Sequence, residues 1–174
     1  GTNSQNAFGS SLNKGSVTYK TPAIELPMGV TMNLAADYDP NAGVAAPAAG
    51  GVGTDAASGE GYTIKLAHDS GLTIGAGSEK VGNTTSAAAG AGNSAYTGYV
   101  LYKNGGISLG YQEHYTDAAA KAADTDGSAY ALAYTSGDVT ISYSVMNETT
   151  NAIGATAALK EEEMSAFQAA YTMG

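Results

Sequence analysis

Apolar and polar residues alternate along most of this chain, with a period of two. Met28–Asp39 carries Val30, Met32, Leu34, Ala36 and Tyr38 on one side and Thr31, Asn33, Ala35 and Asp37 on the other. Glu60–His68 sets Tyr62, Ile64 and Leu66 against Thr63, Lys65 and Ala67. Leu72–Lys80 sets Leu72, Ile74 and Ala76 against Thr73, Gly75, Gly77 and Glu79. The same pattern runs through Ile107–Thr116, Ser128–Thr135, Val139–Met146 and Ser165–Met173. Successive side chains of a strand point to opposite faces, so each segment predicts a strand with one apolar and one polar face. Ala95–Lys103 has tyrosines on both faces, and Val100 and Tyr102 are assigned outward, against Tyr99. Ser16–Thr21 is a shorter strand, followed by a turn bracketed by Pro22 and Pro27. The total is nine predicted strands.

The connections alternate short and long. Short turns are expected near 23–27, 69–71, 104–106 and 136–138, where Asp-Ser-Gly, Asn-Gly-Gly and Ser-Gly-Asp supply positive φ at little cost. A further turn begins at Tyr171–Gly174, so the tight turns recur about every 32–36 residues. Between them lie longer Ala/Gly/Thr/Asn-rich stretches near 40–59, 82–94, 117–127 and 148–163. An up-and-down barrel in an outer membrane has this asymmetry, with short periplasmic turns and long external loops. Nine is odd, barrels of this kind use even numbers, and an open edge in lipid cannot satisfy its backbone. The expectation is therefore an all-β fold: an antiparallel up-and-down transmembrane β-barrel, incomplete here, with further strands beyond the C-terminus and before the N-terminus.

Composition narrows the function. Charged residues make up 13% of the 174, against about 25% in soluble domains. No apolar run is long enough for a membrane-spanning helix. The net charge is −9, and all seven basic residues are scattered lysines, which argues against a nucleic-acid partner. There is no cysteine, hence no disulfide and no thiolate metal site. A soluble sandwich would bury Val, Ile, Leu and Phe on one face and carry Lys and Glu on the other. Here the polar face is Thr, Ser, Gly, Ala and Asn, small and hydroxylated, as a water-filled lumen requires.

On that reading Lys20, Asp37, Lys65, Glu79, Gln112 and His114 face the lumen and set the field for permeating ions. Tyr38, Tyr62, Tyr115, Tyr130 and Tyr143 lie near the ends of apolar rows, where an aromatic girdle meets lipid headgroups. Glu113 falls in phase with the apolar row. It lies above the apolar band, at a subunit contact, or beyond a bulge. His68 and His114 have no neighbouring ligands for a catalytic triad or zinc site, so no enzyme, metal or cofactor is expected. Asp124-Thr-Asp126-Gly127 resembles half a calcium loop but lacks the later acidic ligand, and reads as a loop tip. Glu161–Glu163, with Asp117, Asp124 and Asp126, is a charged loop end able to attract divalent cations. Gly51-Val-Gly53 is loop rather than nucleotide cradle, and Asn83 and Asn147 match a glycosylation pattern by chance.

Gly15-Ser-Val-Thr-Tyr-Lys-Thr-Pro22, with the later strand ending Ala36-Asp-Tyr-Asp-Pro40, resembles the middle of Gram-negative porins. Gly61–His68, Leu72–Val81 and Ser165–Gly174 are similar to porin-like proteins of marine bacteria. The resemblance implies an outer-membrane location, roughly 16 strands, a homotrimer among outer-membrane lipid, and passive diffusion of small polar solutes and ions. Such pores usually carry an arginine ladder at the constriction, and this chain has no Arg, so no eyelet residue is carried over. The competing class is a surface adhesin or S-layer-like structural β-protein. A solenoid of that kind would have a shorter period and no alternation of tight turns with long loops.

Overall fold

The computed structural model describes residues 16–42, 57–82, 93–117, 124–151 and 159–172. They form a single antiparallel sheet of ten strands. The strands are β1 (Val17–Lys20), β2 (Ile24–Leu26), β3 (Val30–Ala42), β4 (Ala57–His68), β5 (Leu72–Val81), β6 (Asn93–Asn104), β7 (Ile107–Asp117), β8 (Asp124–Ser136), β9 (Val139–Asn151) and β10 (Lys160–Tyr171). From β3 to β10 each strand pairs with the next in sequence, as a meander. Among the described residues no helix is long and apolar enough to cross a membrane.

The tight turns follow from their glycines. Gly105 and Gly106 have φ of 57° and 84°, the two positive values that a two-residue hairpin needs to match strand twist. Gly71, at φ 92°, closes the turn after β4, where a Cβ would stand 1.9 Å from the Lys103 carbonyl oxygen. The turns are also tied to the following hairpin: Lys103 N donates to Gly71 O at 3.0 Å and Thr135 N to Gly106 O at 2.8 Å.

The structure corrects the first turn. Residues 24–26 are strand β2, paired with Val30–Met32, and the reversal falls on Pro27–Gly29. β1 and β2 are one edge strand interrupted at Pro22, which has no N–H to give the ladder. Thr21 closes the break: its N donates to Leu34 O at 2.9 Å, and its hydroxyl accepts from Leu34 N at 3.0 Å. Ten strands therefore occupy nine ranks of the sheet.

A second correction concerns strand length. β8 begins at Asp124 and β9 runs to Asn151, with Asp124–Ser136 paired residue for residue against Val139–Asn151. Asp124–Gly127 is thus strand, not loop tip, and cannot wrap a cation as a calcium loop does. Glu161–Glu163 likewise belongs to β10. Gly51–Gly53 and Asn83 lie outside the described residues, whereas Asn147 sits within β9.

The sheet has two open edges among the described residues, β1 with β2 at one side and β10 at the other. Counting reversals, β1 and β10 run in the same direction. A closed, fully antiparallel wall would need an odd number of further strands between these edges.

Candidate functional site

The two faces differ in chemistry and in shelter. Along β7, Ile107, Leu109, Tyr111, Glu113 and Tyr115 are exposed, while Ser108, Gly110, Gln112, His114 and Thr116 are half-buried. On β7 the large apolar side chains lie open and the small polar ones are sheltered. Val145 is the one buried hydrophobic side chain among the described residues. The exposed set includes Tyr62, Ile64, Leu109, Leu132, Ile141 and Phe167. An apolar surface that continuous needs a covering partner.

The apolar surface is a band that slopes across the sheet. The register joins Ile64 to Ala76, Gly98, Glu113, Ser128, Asn147 and Glu163 as one row of cross-strand neighbours. That row starts at the apolar centre of β4 and ends on a charged residue. The apolar segment of β10, Phe167–Tyr171, is centred on Ala169, six residues further along (169 − 163). On β7 and β8 the centres are Leu109 and Leu132, four residues from Glu113 and Ser128 (113 − 109; 132 − 128). The band thus drifts about one residue per strand. At about 3.3 Å per residue and 4.8 Å per strand, six residues over six strands is about 20 Å over 29 Å, a slope of about 35°. Strands of membrane barrels tilt by about 35–45°. If the band is level, the strands have the tilt of a barrel wall.

Glu113 keeps the phase of the apolar row. Pairing on both sides of it is continuous, so no bulge shifts the phase. It sits four residues from Leu109. That is about 11 Å from Leu109 along the band normal. Tyr111 donates its hydroxyl to it. Similar pairs join Tyr62 to Glu60 at 3.2 Å and Tyr115 to Asp124 at 3.4 Å. Each tyrosine has its ring on the apolar face and its hydroxyl on a carboxylate at the same end of the sheet.

All five girdle candidates, Tyr38, Tyr62, Tyr115, Tyr130 and Tyr143, are exposed on the apolar face. Tyr96 joins them, stacked on Tyr115 with ring centroids 6.5 Å apart. Tyr96 is in phase with Val100 and Tyr102, the residues that the sequence pattern assigns outward. Tyr99 is on the polar face, opposite Gly75, where a Cβ would stand 2.3 Å from the Tyr99 ring. The glycine is the seat of an inward aromatic ring.

Lys20, Asp37, Lys65, Glu79, Gln112 and His114 all occupy the polar face by register. Asp37 and Glu79 flank Gly61 in one row, leaving space between two carboxylates. Gln112 donates to the Thr97 hydroxyl at 3.0 Å. His114 lies 3.8 Å from Glu148 through Nε2. Lys20 ends β1 opposite Ala35, two residues along β3 from Asp37, and Lys65 on β4 pairs with Asn33.

Levelled by the band, further polar-face groups fall into place. Asp39, Glu79 and His114 are each five residues from their strand centres, Leu34, Ile74 and Leu109. Glu148 is six from the centre of Val139–Val145, and Glu162 seven from Ala169. Four carboxylates and one imidazole thus share a level at the long-connection end. Asp39 and Glu79 are buried. Sequence composition places Glu148 in a loop and Glu162 in a charged loop end, whereas both lie in strands whose pairing extends into those stretches. The signal was present: Glu148 keeps phase with Ser142, Ser144 and Met146.

No protein-family model, curated protein or solved structure matches this chain.

Proposed function

We propose that this sheet is part of the wall of an outer-membrane diffusion pore of the porin type, passing small polar solutes and ions. The observation that carries the reading is the apolar band, which slopes by about 35° across the hydrogen-bonded rows. A soluble barrel shares this stagger but turns its apolar face inward. Here the sloping band is the exposed face, as a wall of tilted strands in a flat slab of lipid requires. The small, sheltered polar face supports a water-filled interior. Tyrosines paired to carboxylates at one end support a headgroup boundary there.

On this reading the long connections are external and the tight turns periplasmic. The level of Asp39, Glu79, Glu148 and Glu162 is an acidic mouth that favours cations, while Lys20 and Lys65 lie near mid-membrane. Closure requires strands beyond the described edges. The porin resemblance supplies the rest of the proposal, a trimer in a Gram-negative outer membrane. The test is planar-bilayer conductance of the full-length protein purified in detergent. Stepwise conductance of aqueous-pore size with a cation preference is expected. A folded protein that inserts and never conducts rejects the pore. One that stays monodisperse without detergent rejects the membrane reading and favours the surface adhesin.

A further inference from the structure

His114 is placed as only a missing side chain permits. Its row neighbour on β8 is Gly127, and beyond it on β9 stands Glu148. A Cβ at residue 127 would meet the His114 ring at 2.4 Å. The ring therefore reaches across β8 and brings Nε2 to 3.8 Å from Glu148 Oε2. Its Nδ1 is buried with no hydrogen-bond partner. The glycine gap and Glu148 hold the ring, with no hydrogen bond to it among the described residues. Among the described residues, the polar-face neighbours on β6, β7 and β8 are Ala95, Thr97, Tyr99, Gln112, Thr116, Thr125 and Ala129, with Tyr99 the one titratable group and no carboxylate or lysine among them. The carboxylates facing the ring are Glu148, followed by Glu162 on β10; Glu79 shares its level on β5.

We infer that His114 is a proton-operated selectivity residue of the pore mouth, an assignment that rests on the diffusion-pore reading. Imidazole is the side chain that gains charge between about pH 8 and pH 5. When neutral, it leaves the acidic level at full strength. When protonated, it pairs with Glu148 and places a positive charge at the level that attracts cations. Mild acid thus weakens the cation preference without any movement of the wall.

The test is the reversal potential of the full-length protein in a KCl gradient at pH 8 and pH 5.5, a window above the usual carboxylate range. The wild-type K+/Cl− permeability ratio should fall by about two- to threefold, the effect of one unit charge at about 7 Å in screened water. His114→Gln should lose that change. His114→Lys should hold the low ratio already at pH 8. His68→Gln, on the other face beside Ser70, should keep the wild-type change. A conducting wild type with no pH change, or a His114→Gln variant that retains it, overturns the inference and leaves the pore reading standing. A folded protein that never conducts removes the pore reading itself, and this assignment with it.

Discussion

The sloping apolar band makes a prediction that separates a tilted membrane wall from any other sheet. Leu132 and Ser128 are on the same strand and the same face, four residues apart. Judged by hydrogen-bonded rows, Ser128 is level with Ile64, through Glu113, Gly98 and Ala76. Judged by the band, Leu132 is at the midplane and Ser128 is about 11 Å above it, from four residues at about 3.3 Å and a tilt of about 35°. Arginine on the lipid face costs about 2–4 kcal/mol at the midplane and about 0–1 near the interface. Leu132→Arg should therefore destabilise by about 2–4 kcal/mol and Ser128→Arg by less than about 1. The assay is guanidinium unfolding of the full-length protein refolded in phosphatidylcholine bilayers, followed by tyrosine fluorescence. Equal costs at the two sites would refute the tilt. No cost at either would refute the lipid contact.

The turn glycines give a second comparison: Gly71→Ala combines φ 92° with a Cβ 1.9 Å from a backbone oxygen. It should cost about 2–4 kcal/mol in the same assay. Gly105→Ala, at φ 57° with nothing within 4 Å, should cost only about 1–2 kcal/mol. Gly75→Ala should cost about 1–3 kcal/mol through the Tyr99 ring, and less in a Tyr99→Ala background. A double-mutant cycle measures this, with a coupling of at least about 1 kcal/mol expected. Glu79→Gln should reduce the K+/Cl− permeability ratio at pH 8 by about two- to threefold, whereas Lys65→Gln should raise it. Reversal potentials in a KCl gradient read both.

Much of this protein was legible in its sequence because a strand's side-chain period is two and its faces here have opposed chemistry. That alternation puts Leu109, Leu132 and Ile141 each on the apolar face of its own strand, and Gln112 and His114 on the polar face of theirs. Glycine next to Asn, Asp or Ser located the turns near 70, 105 and 137, since positive φ has few other sources. The ends of strands were harder. Asp124–Gly127 and Glu148–Asn151 have a polar, loop-like composition, and pairing with each other, with β7 and with β10 makes them strand. Pro22 looked like part of a turn, and it is a break in an edge strand that Thr21 repairs through its partner. What no single strand contains is its offset from the next. Register showed that no bulge shifts Glu113 out of the apolar row. It also let His114 reach Glu148 over Gly127. These are relations across hydrogen-bonded rows, and a periodic pattern along one strand carries no information about its phase relative to a neighbour.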